Sequence, residues 1–371
     1  MAKDKKKILF LINKLKRGGA ERMFVNQLNE LHKRGWDVHL SLVYGSQGKD
    51  NFLDELEFIG DKIEIFGFKN LADLSAWKRF FRYIKKQRPD IIYSTLGDAN
   101  HISRIARLFE PSLKVVIRES TVADSKTLPG KYIDWFLNFF ADTIVAVSQE
   151  VKRSLLQFES THQKKIYVIY NGVRLPEPGE LGRVKDRSDS QTRILSVGSL
   201  KANKNHLLLL DAFDYLQKEK VKVRLDIVGG GTEKGNLEKF IHERGLGRSV
   251  VLVGEVNSDE LRKRYRQADL FVFPSQKEGC PNAVLEAMAY GLPIILTDMG
   301  VAHELVQDGR NGLIVPFDAA ALADKLGELI RDSVKREEMG KQARQYAEDN
   351  FALESNIRQL EELFSHLLQR K

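Results

Sequence analysis

Cysteine is almost absent from this 371-residue chain: Cys280 stands alone, so no internal disulfide can form, and a reducing compartment such as the cytoplasm fits. Long hydrophobic runs are absent as well. Lys3, Lys5, Lys6 and Lys7 followed by Ile8-Leu9-Phe10-Leu11-Ile12 imitate the start of a signal peptide, but the run stops at Asn13-Lys14, too early to export or anchor. No later stretch reaches the roughly 20 apolar residues that spanning a bilayer requires, so any meeting with a membrane is expected to be peripheral. D-x-D is missing, and with it the usual carboxylate pair for a divalent ion on a nucleotide diphosphate; the eight histidines show no metal-ligand spacing. Gly229-Gly230-Gly231 has Lys234 where G-x-G-x-x-G needs its third glycine, which argues against a dinucleotide site and leaves either a ligand-side turn or a purely structural one. Repeats and low-complexity tracts are also lacking.

What is present reads as globular, with 42% hydrophobic residues beside 30% charged ones. The net charge of +8 is uneven: residues 1 to 185 carry 32 Lys plus Arg against 22 Asp plus Glu, and residues 186 to 371 carry 27 against 29. A basic first half suits an anionic partner. Short β-branched runs alternate with amphipathic stretches, predicting strands near 7–12, 37–43, 62–66, 90–94, 114–118, 143–147 and 165–170, and again near 193–197, 223–228, 250–253, 270–273, 294–297 and 313–315. Gly35 is placed to end the first helix. Such alternation predicts α/β architecture, two parallel sheets covered by helices, with ligands at the carboxyl ends of the strands. Arg174 to Thr192 breaks the rhythm with two prolines and a polar tail, and the linker is set at 179–192 between domains over 1–178 and 193–350. A helical tail follows Pro316, its last part, 351–371, a helix for which packing back on the first domain is one option.

One constellation stands out. Glu278 and Glu286 lie eight residues apart across a loop-to-helix junction, with Pro281 suited to the first helical turn and backbone amides beginning near Asn282. A sugar nucleotide offers two sets of hydroxyls separated by a diphosphate, and two carboxylates can accept one set each. The plainer reading is a helix start whose acids are favoured by the dipole.

The words around the pair are more specific. Glu278-Gly-Cys-Pro-Asn-Ala-Val-Leu-Glu286, Gly291-Leu-Pro-Ile-Ile, Asp308-Gly-Arg-Asn-Gly312, Asn171-Gly-Val and Gly18-Gly-Ala-Glu-Arg22 together resemble glycosyltransferase family 4. The resemblance implies a GT-B fold, two Rossmann-like domains facing across a cleft, with an acceptor-binding first domain and a nucleotide-sugar-binding second domain. It also implies retention of anomeric configuration, no cofactor and no required metal. On the same likeness Glu278 and Lys204 are the catalytic residues, Lys204 directed at the diphosphate. Donor contacts fall to Glu286, Gly279, Cys280, Asn282, Ala283, Ser199 and Gly254, and from the other domain to Gly18 and Gly19. Ser199 departs from the family, where an arginine often stands, so that cation is absent or supplied by Lys201 or Arg22. UDP is the nucleotide favoured by likeness to bacterial polysaccharide and lipid-linked oligosaccharide enzymes.

Asp98, Asn100, His101, Arg118 and Glu119 follow predicted strands and are the acceptor candidates, with helix capping as the plainer alternative. The helix containing Trp77, Lys78, Arg79, Arg82, Lys85 and Lys86 suits anionic headgroups, or is a crossover helix with its aromatics in the core. Tyr132 to Phe140 is a further aromatic stretch, expected in the core. The expected function is therefore transfer of a sugar from a nucleotide diphosphate donor to a glycan or polyprenyl-diphosphate-linked acceptor, by a peripheral protein on the inner membrane face, with no nucleic acid involved. A sugar-nucleotide epimerase of the same fold, which needs no acceptor, and a catalytically silent sugar-nucleotide binder are the rivals; donor hydrolysis or donor epimerisation separates them.

Overall fold

The computed structural model describes residues 6–45, 52–57, 62–159, 161–181, 191–218 and 221–369; Lys3, Lys5 and most of the expected 179–192 linker lie outside them. The chain divides into two compact units, one of residues 1–171 with 354–371 and one of residues 172–353.

The first unit is built on β1 (Lys7–Ile12), β2 (Asp37–Leu42), β3 (Ile63–Ile65), β4 (Ile91–Thr95), β5 (Lys114–Glu119), β6 (Thr143–Ala146) and β7 (Ile166–Val168). These form one seven-stranded parallel sheet in the order β3-β2-β1-β4-β5-β6-β7. Helices cover both faces of such a sheet, which is why Ile8 to Ile12 is a continuous apolar run, buried throughout, rather than an alternating one. Chain order reverses between β1 and β4, so the crevice of this unit lies at their carboxyl ends. The first helix, Gly19–Lys33, ends as expected at Gly35: its φ of 87° lets Gly35 N–H donate to His32 O (2.9 Å) and Trp36 N–H to Leu31 O (3.1 Å).

The last helix, Leu353–Gln369, packs on this same unit. Phe364 lies edge-on to Tyr93 at 5.4 Å and to Trp36 at 6.2 Å, Trp36 Nε1 donates to Glu361 Oε1 (2.8 Å), and Gln27 Nε2 donates to Asn356 Oδ1 (3.0 Å).

The second unit carries β8 (Thr192–Val197), β9 (Val223–Val228), β10 (Val250–Gly254), β11 (Leu270–Phe273), β12 (Ile294–Thr297) and β13 (Gly312–Val315) in the parallel order β10-β9-β8-β11-β12-β13. Its core joins Leu225 and Ile227 of β9 and Val272 of β11 to Leu209 and Phe213 of one helix and Leu326 of another. The switch point is between β8 and β11. The helical tail is three helices: Asp332 ends Ala319–Arg331 and caps Ser333–Phe351 through Lys335 N–H (2.9 Å), and Ala352 separates that helix from the last.

Two expectations are corrected. Tyr132 to Phe140 is not core: the helix Leu128–Leu137 and the following turn turn most of their rings to solvent. Trp77 is not a surface anchor. It packs at 5.4–5.8 Å against Phe68, Phe80 and Phe81 and donates through Nε1 to Leu71 O (2.8 Å), while Lys78, Arg79, Arg82, Lys85 and Lys86 occupy the exposed face of the helix Leu74–Gln87. Among the described residues no helix is long and apolar enough to cross a membrane.

Candidate functional site

In the second unit Lys204 and Glu278 meet at the switch point. After β8 the chain runs through Gly198, Ser199 and Leu200 into a single 3-10 turn, Ala202–Lys204, and Asn205 in the left-handed region (φ 55°) reverses it into the helix His206–Lys218. This turn carries Lys204 back over the end of β11, with its ammonium 5.3 Å from the centre of the Phe273 ring and in direct contact with Glu278 Oε1. Glu278 follows β11 in a loop fastened to the β8 loop: Gln276 N–H donates to Asn203 O (2.9 Å), and Ser275 Oγ lies 3.1 Å from the same carbonyl. Ser275 also donates to Glu278 Oε1 (2.7 Å), and its own carbonyl accepts from Thr297 of β12 (2.7 Å). The pair is shielded but reachable, its side chains 18% and 16% exposed.

The helix after the loop is Asn282–Ala289, and Pro281 is its N-cap rather than part of its first turn. Gly279 and Cys280 are buried beneath the junction, Asn282 and Ala283 open the helix, and Glu286 lies one turn further on. Tyr265 Oη donates to Glu286 Oε2 (2.9 Å), and the Tyr265 ring stacks on Tyr290 at 5.4 Å. Two more loops complete this end of the sheet. A Cβ on Gly229 (φ 141°) would stand 2.0 Å from Gly198 O, and one on Gly231 (φ 157°) 2.3 Å from Leu200 O, so only glycine lets the β9 loop close on the β8 loop. Gly254 then accepts from Gly229 N–H (2.9 Å). His206 is buried directly after the Lys204 turn; burial, reinforced by the Lys204 charge, pushes its pKa down to about 4, so it is neutral at neutral pH. Lys201, by contrast, is a surface residue.

The first unit offers a second constellation at its own switch point. Asn13, just past β1, accepts from Ala99 N–H (2.8 Å) at the start of the helix Gly97–Phe109, and Leu96 between β4 and that helix holds a φ of 73° unusual for leucine. Tyr44 donates to Asp98 Oδ2 (2.7 Å), and burial together with that carboxylate pushes the phenol up to about 12. Lys14 stands 5.5 Å from the Tyr44 ring centre, and with Lys16, Lys69 and Glu21 these groups line a shallow concavity of about 480 Å³. Gly18 precedes the helix that Gly19 opens; Arg22 ion-pairs with Glu55 (3.3 Å) over the Phe52 ring.

The acceptor candidates divide here. Asp98 and His101 are partly exposed. Asn100 and Arg118 are buried and bonded within the protein, Asn100 to Glu119 (2.9 Å) and to Ser94 (2.9 Å), Arg118 to Asn171 and Thr95; Glu119 is buried with them. Sequence position at a strand end identified these three, but their side chains point into the sheet's end rather than out of it. His101 Nε2 lies 3.1 Å from Asp134, which belongs to a buried network with Arg104 (2.6 Å) and Lys126 (2.7 Å). Burial opposes the Asp134 charge, yet the His101 hydrogen bond and the two cations hold its carboxyl well below the usual range. Among the described residues no three His, Cys, Asp or Glu side chains gather as a metal site.

Residues 17–176 match the family described as Glycosyltransferase Family 4, and residues 180–346 match Glycosyl transferases group 1. The chain is 29% identical, over 84% of its length and 86% of the relative, to the N-acetylgalactosamine-N,N'-diacetylbacillosaminyl-diphospho-undecaprenol 4-alpha-N-acetylgalactosaminyltransferase of Campylobacter jejuni. It is 27% identical, over 81% of its length and 84% of the relative, to the capsular polysaccharide biosynthesis glycosyltransferase CapH of Staphylococcus aureus. Anabaena HepE in complex with UDP-glucose superposes with a TM-score of 0.85 at 22% identity, covering 97% of this chain and 99% of that one.

Proposed function

Since the chain belongs to the glycosyltransferases, a GT-B enzyme with a family 4 first half and a group 1 second half, we propose that it transfers a sugar with retention from a UDP-sugar to a lipid-linked glycan on the inner membrane face, without a metal ion. The observation that carries this reading is the contact of Lys204 with Glu278 at the carboxyl ends of β8 and β11, on the loop that leads into the helix bearing Glu286. HepE, which shares the fold, has been captured with UDP and UDP-glucose, and the Campylobacter relative is named for a diphospho-undecaprenol acceptor; both support the choice of substrates.

In this scheme Glu286, oriented by Tyr265, accepts hydrogen bonds from the ribose hydroxyls. Glu278 and the amides of the helix start orient the sugar, and Lys204 faces the diphosphate. The sugar C1–O bond to the diphosphate breaks as the acceptor hydroxyl oxygen forms its bond to C1 on the same face. The acceptor's proton passes to the departing phosphate oxygen, so no protein base takes part. Negative charge grows on the diphosphate in the transition state, and Lys204, held by its loop before the reaction starts, stabilises it there. Asp98, His101, Lys14 and Lys16 are the acceptor-side contacts.

The test begins with thermal stabilisation by UDP- and GDP-sugars. Product anomeric configuration, read by NMR with and without chelator, follows. Lys204→Ala is expected to lose on the order of 100-fold in turnover with its fold intact. Near-normal turnover removes Lys204 from the mechanism, and conversion of the donor to its epimer without acceptor replaces transfer with epimerisation.

A further inference from the structure

The helix Leu128–Leu137, with the turn Asn138–Phe140 that continues it, is amphipathic in the wrong sense for a surface helix in water. Its polar side chains point inward. Asp134 is buried against Arg104, Lys126 and His101, and Asn138 is buried against Arg104 (2.5 Å), Glu159 (3.1 Å) and Thr161 (3.0 Å). Apart from the buried Leu137 and the half-buried Phe140, its large apolar side chains point out: Leu128 is 70% exposed, Tyr132 69%, Phe139 63%, Phe136 53% and Trp135 45%. A soluble domain normally buries the apolar stripe and exposes the polar one. Here the ionic network inside fixes the helix in the reversed orientation, so the outward face is built rather than left over. Burial holds the Glu159 carboxyl above its usual value against the opposing pull of Lys126, while three carboxylates hold Lys126 above the usual ammonium range against its burial.

We propose that this face is a membrane-docking surface whose occupant is the interface of an anionic bilayer. Tyr and Trp beside Phe and Leu are the composition that settles at headgroup level, ring bodies in the acyl boundary and polar tips in water. The charge agrees. Asp134 is the sole acid between residues 128 and 140 and is paired inward, whereas Lys131 lies at the edge with its ammonium 4.5 Å from the Phe158 ring centre. The first half of the chain adds its excess of 32 basic over 22 acidic residues. A stable protein partner buries about 20–30 residues a side, far more than one short helix presents. The same network ties the docking helix to His101, so an acceptor carried in the bilayer arrives beside the acceptor-side residues. The inference rests on this face and not on the transferase reading, since vesicle binding is measured without donor or acceptor.

The experiment uses the full chain with phosphatidylcholine vesicles, with and without phosphatidylglycerol. Binding is expected to the anionic vesicles, and the Tyr132→Ser/Phe136→Ser/Phe139→Ser variant is expected to bind on the order of tenfold or more weakly, with unchanged circular dichroism and an unchanged donor-induced thermal shift. A Trp36→Phe/Trp77→Phe variant leaves Trp135 as the sole reporter; its emission is expected to shift to the blue and to be quenched by brominated acyl chains. Should the first variant misfold, the quenching alone decides. Undiminished binding by the serine variant or unquenched Trp135 overturns the proposal. So does a dimer that the serine variant dissolves while vesicles go unbound.

Discussion

Lys204 and Glu278 hold each other in direct contact, so the ammonium serves an incoming diphosphate only by loosening that pair. Removing the competing anion separates the two roles of Glu278: Glu278→Gln is expected to bind free UDP several-fold more tightly while turning over on the order of 100-fold more slowly, checked by calorimetry beside steady-state rates. Tyr265→Phe removes the hydrogen bond that orients Glu286 and is expected to raise donor KM several-fold with little change in kcat. His206 gives a stability prediction. Its pKa falls from about 6.5 to about 4 on folding, so the unfolded chain binds the extra proton between those values. Its contribution is complete above pH 6.5 and is lost as pH falls toward 4, to a total of about 3 kcal/mol. His206→Leu is expected to flatten the drop in Tm between pH 7 and pH 5. The structure brings Lys204 and Glu278 into contact; the candidates Glu278 and Glu286 were legible from their spacing across a loop-to-helix junction, and Lys204 from the family resemblance. Ser275, Tyr265 and His206 were not, because a serine on a strand end, a tyrosine in an exposed-looking helix and a histidine after a cap acquire meaning only when β8, β11 and the helix Ser258–Gln267 come together.

The strands were legible almost to the residue, because parallel strands buried on both faces must be short, continuous apolar runs. Helix orientation was not. Periodicity reports which residues of Tyr132 to Phe140 are apolar, whereas the side that faces the protein was decided by Arg104, on an earlier helix, and by Lys126, just ahead of this one, closing together on Asp134. Loop closure shows the same dependence: the glycine triplet after β9 reads equally as a ligand turn or a bare turn until the carbonyls of Gly198 and Leu200 are seen against it. Gly231→Ala is expected to destabilise the second unit by on the order of 2 kcal/mol and to weaken donor binding, measured by urea unfolding with and without UDP. Thermal stabilisation by UDP that survives the substitution unchanged would detach this turn from the donor site.

Across the whole molecule the sequence's two rounds of alternation became two sheets, but the division falls between Asn171 and Gly172, before the proline-containing segment that composition singled out. Composition marks where a chain is polar, not where packing changes owner. The return of the last helix to the first unit depends on Trp36, Tyr93 and Phe364 meeting, which no local pattern announces. Phe364→Ala is expected to destabilise that unit by about 3–5 kcal/mol, seen as an earlier unfolding transition that UDP does not rescue. The chain passes between units twice, and the two passages are stitched side by side, Val173 N–H donating to Phe351 O (2.8 Å) and Leu353 N–H to Val173 O (2.9 Å). On the ribosome, where domains emerge N-terminus first, this connectivity sets a different order of completion. Residues 172–353 are a single uninterrupted stretch, whereas the unit begun by the first 171 residues is completed only by residues 354–371, translated last.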